Sequence, residues 1–194
     1  MPTLPRCVVT GHDTGGRSVF TSDEPVPAAY TTPGGTLFYE LWATDATPAT
    51  INADPAGAAA LDPAAGPPPV APAPNGTTLR INELPPGAAS PMHRTETVDY
   101  GIVLDGEVVL VLDDGETVLR AGDVVVQRGT SHRWENRSGA TAQMAFILID
   151  GAFTGDLLAT LSGDVLGNLL HDPLHPDAQH PDPQHPDPQH APEA

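Results

Sequence analysis

The chain has 194 residues, with 25 acidic residues against 8 arginines and no lysine, which gives a formal net charge of −17 at pH 7. This charge excludes nucleic acid and anionic membranes as expected partners, because both are bound by basic patches. The missing lysine excludes Schiff-base chemistry and the lysine of a phosphate-binding loop. No apolar run or leader pattern is visible, so the sequence predicts a soluble, cytoplasmic protein.

The first third of the chain predicts strands followed by a loop. Residues 1–53 contain strand-like stretches near 7–10, 17–21 and 36–43, which we expect to pack on a barrel. Residues 54–76 are rich in alanine and proline and carry almost no bulky apolar side chain. We therefore expect an exposed loop there, because strand-like sequence lies on both sides of it.

Residues 77–150 have the most regular pattern and are predicted to form the barrel core. Asp105-Gly106 and Asp114-Gly115 are typical of tight hairpin turns. Many short strands at even spacing predict an all-β sandwich or barrel. The expected strands are 77–84, 97–104, 107–113, 116–120, 123–127, 131–136 and 142–150.

The C-terminal part divides into a leucine-containing segment and a repetitive tail. Residues 151–170 have a leucine pattern compatible with a short helix, although Gly163 and Gly167 weaken it. Residues 171–194 repeat histidine, proline, aspartate and glutamine without hydrophobic periodicity, so we predict a disordered tail. Its histidines suggest weak capture of metal ions, but an inert low-complexity tail is the favoured interpretation.

Two histidine motifs are the most specific feature of the sequence. The positions that carry them are Gly87, His93, Thr95, Asp99 and Gly106 in the first motif and Gly122, Gly129, His132 and Asn136 in the second. Their spacing resembles the two-motif signature of the cupin superfamily, in particular its small single-domain bacterial members of the conserved-barrel type. The resemblance covers roughly residues 77–150. It implies a jelly-roll-like β-barrel of two sheets and a homodimer paired through an edge strand.

Strand alternation predicts that the motif side chains share a face. His93, Thr95 and Asp99 are two or four residues apart, so they project to one side of an extended strand. If that side is the barrel lumen, His132 from a neighbouring strand pair can approach it. Arg94 should project to the opposite side, and so should Glu96.

The departures from the family pattern leave two interpretations of the site open. Metal-binding cupins typically use three histidines and a glutamate, whereas this chain has Thr95 and Asp99 at two of those positions. In one interpretation His93, Asp99 and His132 still hold a divalent transition metal (Fe, Mn, Ni or Zn). In the other, the site is metal-free and the same three residues act by hydrogen bonding and proton transfer.

Other residues near the motifs are candidates for a substrate pocket. Thr95, Tyr100 and Trp134 could line it, although aromatic side chains in barrels also serve packing. Arg128 and Arg133 could hold a substrate carboxylate or enolate, with surface ion pairing as the equally weighted alternative.

The resemblance implies an enzyme acting on a small aromatic or polyketide-like molecule in the barrel mouth. The expected class is a lyase, cyclase, isomerase or dioxygenase, with His93, Asp99 and His132 as catalytic residues. A non-catalytic sensor or carrier with a degenerate metal site is the main alternative, and metal storage through the histidine tail is a weaker one.

Overall fold

Strands supply nearly all of the regular structure in the computed structural model, which describes residues 4–51 and 68–161. The only helix in that part of the chain is the single turn α1, Gly155–Leu158. The predicted all-β class is therefore confirmed. The strands are β1 (Arg6–His12), β2 (Ser18–Pro25), β3 (Tyr30–Thr31), β4 (Leu37–Thr44), β5 (Thr77–Leu84), β6 (Thr97–Asp105), β7 (Glu107–Val111), β8 (Glu116–Arg120), β9 (Val124–Arg128), β10 (Arg133–Glu135) and β11 (Ala142–Asp150).

These strands form two principal antiparallel sheets and one hairpin. The large sheet has the order β3-β4-β5-β11-β6-β9, and the smaller one has the order β10-β7-β8. The hairpin β1-β2 forms a sheet of its own. We expected the strands of residues 1–53 to pack on the barrel, but β3 and β4 belong to the large sheet itself. The reason is that β5 has an open edge, to which β4 pairs from Leu37 to Thr44.

The hydrophobic core lies between the two principal sheets. Alternation along β11 buries Met144, Phe146 and Leu148 on one face of the large sheet. Val108 and Leu110 of β7 belong to the same cluster and come from the smaller sheet. The two sheets therefore enclose one apolar interior, as the double-sheet barrel prediction requires.

The turn between β6 and β7 explains one glycine of the first motif. Gly106 has a φ of +76°, and a Cβ placed on it would lie 2.9 Å from the Cα of Ala142. Both the backbone conformation and the close approach to β11 therefore require glycine at this position.

The predicted loop and tail lie partly outside the described residues. This applies to residues 54–67 of the Ala/Pro-rich segment and to residues 162–194, which include the second part of the predicted helical segment and the whole repeat tail. The described end of the loop is exposed at Pro69 and at residues 73–75, whereas Pro72 is buried and Arg80 Nη2 donates to the Pro69 carbonyl at 2.8 Å. Within the described ranges, no helix is long and apolar enough to cross a membrane.

Candidate active-site cavity

One cavity of about 670 Å³ opens on the inner face of the large sheet. The turn between β3 and β4 and the loop residues Pro68 and Val70 form one side of it. The sheet contributes side chains from β5, β6 and β11. The cavity is also lined by five of the residues singled out in the sequence, namely His93, Thr95, Asp99, His132 and Trp134.

The two motif histidines are held next to each other by their own backbones. The His93 amide donates to the His132 carbonyl at 2.9 Å, and the His132 amide donates to the His93 carbonyl at 2.8 Å. Their imidazole ring centres are 4.2 Å apart, and Trp134 stands edge-on to His132 with 5.9 Å between ring centres. The two motifs thus place both imidazoles in one wall of the cavity.

Each imidazole is oriented by a hydrogen bond to a nearby backbone carbonyl. Nδ1 of His93 lies 2.9 Å from the Pro91 carbonyl, and Nδ1 of His132 lies 2.9 Å from the Thr130 carbonyl. Because a carbonyl only accepts, Nδ1 carries the proton in both rings. Nε2 of each neutral ring is therefore left with a lone pair that can accept a proton or bind a ligand.

Both histidines are neutral at pH 7. Burial, together with the neighbouring His93, lowers the pKa of His132 to about 4. Burial also lowers the pKa of His93, although the hydrogen bond to Pro91 opposes this. Desolvation disfavours the imidazolium form in each case.

Asp99 is the acidic group of the cavity. Burial raises its pKa to about 6, while a hydrogen bond from Thr97 and the charge of Arg80 act in the opposite direction. Its Oδ1 atom is buried and has no hydrogen-bond partner in the described part of the chain. The Thr95 and Thr97 hydroxyl oxygens are 2.8 Å apart, so Thr95 is tied to the threonine that supports Asp99.

A second set of polar side chains, which was not predicted from the sequence, lines the cavity at Arg80 and Asn82. Arg80 of β5 is 5% exposed, and its Nε lies 3.1 Å from Glu40 Oε1 on β4. Its guanidinium also lies over the Phe38 ring, 6.0 Å from the ring centre. Asn82, two residues further along β5, lines the same cavity, and its buried Oδ1 lacks a hydrogen-bond partner in the described part of the chain.

Two predicted pocket residues are not brought to the cavity. Tyr100 follows Asp99 on β6, so alternation directs it to the outer face of the sheet, where it is 41% exposed. Arg128 is exposed at the end of β9 for the same reason, next to the buried Gln127. Arg133 is paired with Glu135.

The flanking residues of the first motif project away from the cavity, as predicted. Arg94 donates from Nη1 to the Gly129 carbonyl at 2.8 Å and lies over the Phe153 ring. The Glu96 carboxylate accepts from the Phe153 amide.

The side chains present do not fit the divalent metal that the family pattern implies. In residues 4–51 and 68–161, no three histidine, cysteine, aspartate or glutamate side chains come together in a group that could hold a metal ion. His93, Asp99 and His132 therefore do not form the predicted ligand set, and two imidazoles fall short of the three protein ligands of a typical open site. Thr95 stands where the second histidine of the first motif belongs, and its hydroxyl is hydrogen-bonded to that of Thr97.

Comparison with known proteins identifies the family. The sequence profile of the cupin domain matches residues 80–149. Phomopsin biosynthesis cluster protein C' of Diaporthe leptostromiformis is 39% identical over 165 residues, which cover 82% of this chain and 87% of that protein. The chain belongs to the cupin superfamily.

Two other cupins are similar to this chain over a smaller share of its length. The cupin-domain-containing oxidoreductase fogC of Aspergillus ruber is 35% identical over 148 residues, which cover 73% of this chain and 70% of that protein. A solved cupin 2 conserved barrel domain protein from Salinispora arenicola has 28% identity, covers 43% of this chain and 70% of its own, and superposes with a TM-score of 0.37. The two sequence relatives are fungal, and the bacterial type of cupin stays a prediction.

Proposed function

We propose that this cupin is an enzyme of secondary metabolism that transfers protons on a small aromatic or polyketide-like molecule bound in the cavity. The observation that carries the proposal is the pair of neutral imidazoles at His93, which is half-buried, and His132, which is buried, both fixed as the Nδ1–H tautomer. The names of the similar proteins, a phomopsin biosynthesis cluster protein and a cupin-domain-containing oxidoreductase, support an enzymatic role in such metabolism.

Both histidines can act as bases because their Nε2 lone pairs are free, although the lowered pKa of His132 makes it a weak base. Nε2 of His132 accepts a proton from a carbon next to a carbonyl group, and the C–H electron pair moves into the enolate. The resulting imidazolium is stabilised at Nδ1–H by the Thr130 carbonyl. His93 has the same arrangement with the Pro91 carbonyl and can take the same role.

Asp99 is suited to return a proton. With a pKa of about 6, roughly a tenth of its carboxyl groups are protonated at pH 7. A carboxylic acid and a neutral imidazole thus line the same cavity, and such a pair serves isomerisation, elimination and cyclisation alike.

Exchange of hydrogen for deuterium tests this function without knowledge of the natural substrate. Aryl methyl ketones such as acetophenone are incubated with the protein in D₂O, and loss of the α-hydrogen signal is followed by NMR. We expect the wild-type chain to accelerate the loss and His132→Gln to reduce the rate by about 10²-fold. His12→Gln, on the separate β1-β2 hairpin, is the matched control and should retain the rate.

Two outcomes would contradict the proposal. Ketone binding without exchange would point to the non-catalytic carrier or sensor. An exchange rate abolished by EDTA would show that proton transfer depends on a metal ion.

We also propose that two copies of the chain pair through the outer face of β6 and β9. β9 ends the large sheet, and this face exposes the apolar side chains Tyr100, Leu104, Val124 and Val126. A second copy would cover both the apolar face and the open strand edge. Light scattering after size exclusion should show a dimer that Val126→Asp converts to monomer, whereas Val8→Asp, equally on an exposed strand, should not. A monomeric wild-type chain would disprove the pairing.

A further inference from the structure

The end of the cavity lined by Arg80 and Asn82, where Glu40 is paired with Arg80, has unused hydrogen-bonding capacity of two kinds. We propose that this end, together with Asp99, selects an uncharged ligand that carries both a carbonyl and a hydroxyl group. This rests on the proposed function only in that a small organic molecule occupies the cavity.

Arg80 supplies the donors. A guanidinium has five N–H groups, and one of those of Arg80 donates to the Pro69 carbonyl. Nε lies 3.1 Å from Glu40 Oε1 in an ion pair, but neither of these two atoms has a hydrogen-bond partner in the described residues. Those contacts and the Phe38 ring also fix the orientation of the guanidinium, which lines the cavity. The remaining N–H groups can therefore donate to a ligand oxygen such as a carbonyl.

Asn82 and Asp99 supply the acceptors. The Oδ1 atom of each is buried, and neither has a hydrogen-bond partner among residues 4–51 and 68–161. A buried acceptor without a donor is unfavourable, so a ligand hydroxyl that reaches one of them gains a hydrogen bond that the cavity otherwise lacks. Both residues line the same cavity as Arg80, so a small molecule in the cavity lies beside all three side chains.

The charges argue against an anionic ligand, even though arginine commonly binds carboxylates. The positive charge of Arg80 is already opposed by Glu40 at 3.1 Å, and Arg80 and Asp99 also interact electrostatically. A ligand carboxylate would enter next to two acidic groups that share one arginine, which is repulsive at low dielectric. A neutral carbonyl keeps the hydrogen bond and avoids the repulsion.

Dissociation constants for three related aromatic compounds test the selectivity. We would measure 3-hydroxybenzaldehyde, benzaldehyde and 3-hydroxybenzoate at pH 7.5 on the full chain by ligand-observed NMR. The wild-type chain should bind 3-hydroxybenzaldehyde about tenfold more tightly than either of the others. Asn82→Leu should remove the advantage of 3-hydroxybenzaldehyde over benzaldehyde.

Glu40→Gln provides the sharpest test, because it should reverse the preference for charge. Glutamine keeps the shape of the side chain but leaves Arg80 without its anionic partner, so 3-hydroxybenzoate should bind about tenfold more tightly than to the wild type. Glu116→Gln removes one negative charge from an exposed residue and is the matched control. If Glu40 had only a structural role, Glu40→Gln would not improve the binding of the carboxylate.

The outcomes separate this inference from the proposed function. Wild-type binding of 3-hydroxybenzoate as tight as that of 3-hydroxybenzaldehyde, or no binding of any of the three, would overturn the inference. So would equal effects of Glu40→Gln and Glu116→Gln. Selective binding without deuterium exchange would keep the inference and remove the proton-transfer function, whereas exchange without selectivity would do the reverse.

Discussion

The cavity has two polar ends that are built by different means. At the histidine end, His93 and His132 are neutral and hydrogen-bonded to backbone carbonyls two residues away in the chain. At the arginine end, Arg80 is charged and depends on Glu40, a side chain from another strand. A neutral group held by its own backbone can lose a neighbouring side chain at small cost, whereas a buried charge cannot lose its counter-ion.

The largest expected effect on stability comes from removing the buried charge of Arg80. Arg80→Met leaves Glu40 buried without its partner and should lower the free energy of unfolding by about 3–5 kcal/mol. The double variant Glu40→Gln/Arg80→Met removes both charges and should recover most of that loss. Urea unfolding at pH 7 measures both variants. If the double variant were as unstable as the single one, packing of the Arg80 side chain rather than ion pairing would be its main role.

An exposed ion pair provides the control for this comparison. Arg137 bridges Glu116 and Glu135 at the surface, and water solvates whichever partner remains after a substitution. Arg137→Met should therefore affect stability far less than Arg80→Met does. Equal losses in the two variants would mean that burial does not distinguish the two arginines.

The two ends also differ in how well they can be predicted from sequence. The sequence placed His93, Thr95, Asp99 and His132 in one cavity by two means: strand alternation groups the first three, and the family resemblance adds His132, which lies 39 positions after His93. Arg80 and Asn82 alternate with Leu79 and Ile81 along β5, and such a pattern normally indicates that the polar side chains face water.

In this structure the polar side of β5 faces inward, because Glu40 is available there as a counter-ion. Glu40 lies 40 positions earlier in the chain, so only the pairing of β4 with β5 reveals it. Alternation also explains why Tyr100 is absent from the cavity, since it directly follows Asp99. The motif likewise specifies positions along the chain but not whether a replaced side chain completes a metal site.

The pH dependence of stability contrasts His132 with Asp99. The folded-state pKa of His132 is about 4, below its ordinary value of 6.5, so stability from this group is lost as pH falls from 6.5 towards 4. The folded-state pKa of Asp99 is about 6, above its ordinary value of 3.8, so stability from this group is lost as pH rises from 3.8 towards 6. At about 1.4 kcal/mol per unit of pKa displacement, each of these two groups changes the free energy of unfolding by about 3 kcal/mol. The two effects oppose each other in the wild type.

Single substitutions should uncover the two opposed effects. The free energy of unfolding of Asp99→Asn relative to the wild type should fall by about 3 kcal/mol as pH is lowered from 7 to 4. That of His132→Gln relative to the wild type should rise by about as much over the same range. Urea unfolding at pH 7, 5.5 and 4 measures both differences. Differences that stay constant with pH would show that neither group has a displaced pKa in the folded state.

The smallest expected effect concerns Thr95, which connects the two ends. It lies two residues after His93, and its hydroxyl is hydrogen-bonded to that of Thr97. Thr97 in turn is hydrogen-bonded to Asp99, which interacts electrostatically with Arg80. Because a hydroxyl has one proton, Thr97 accepts from Thr95 when it donates to Asp99, and the accepted hydrogen bond polarises the Thr97 hydroxyl and strengthens its bond to Asp99. Thr95→Val should therefore lower the free energy of unfolding by about 1 kcal/mol and raise the pKa of Asp99 further, whereas Thr95→Ser should preserve both.

Carboxyl ¹³C NMR of Asp99 across a pH titration distinguishes this role from simple space filling. A rise of the Asp99 pKa in Thr95→Val but not in Thr95→Ser would establish the hydroxyl as the connecting group. Identical titration curves in both variants would mean that Thr95 only fills the place of the missing histidine. If the hydroxyl is the connecting group, threonine at this family ligand position replaces a metal-binding nitrogen with a hydrogen-bond donor that adjusts the acidity of Asp99.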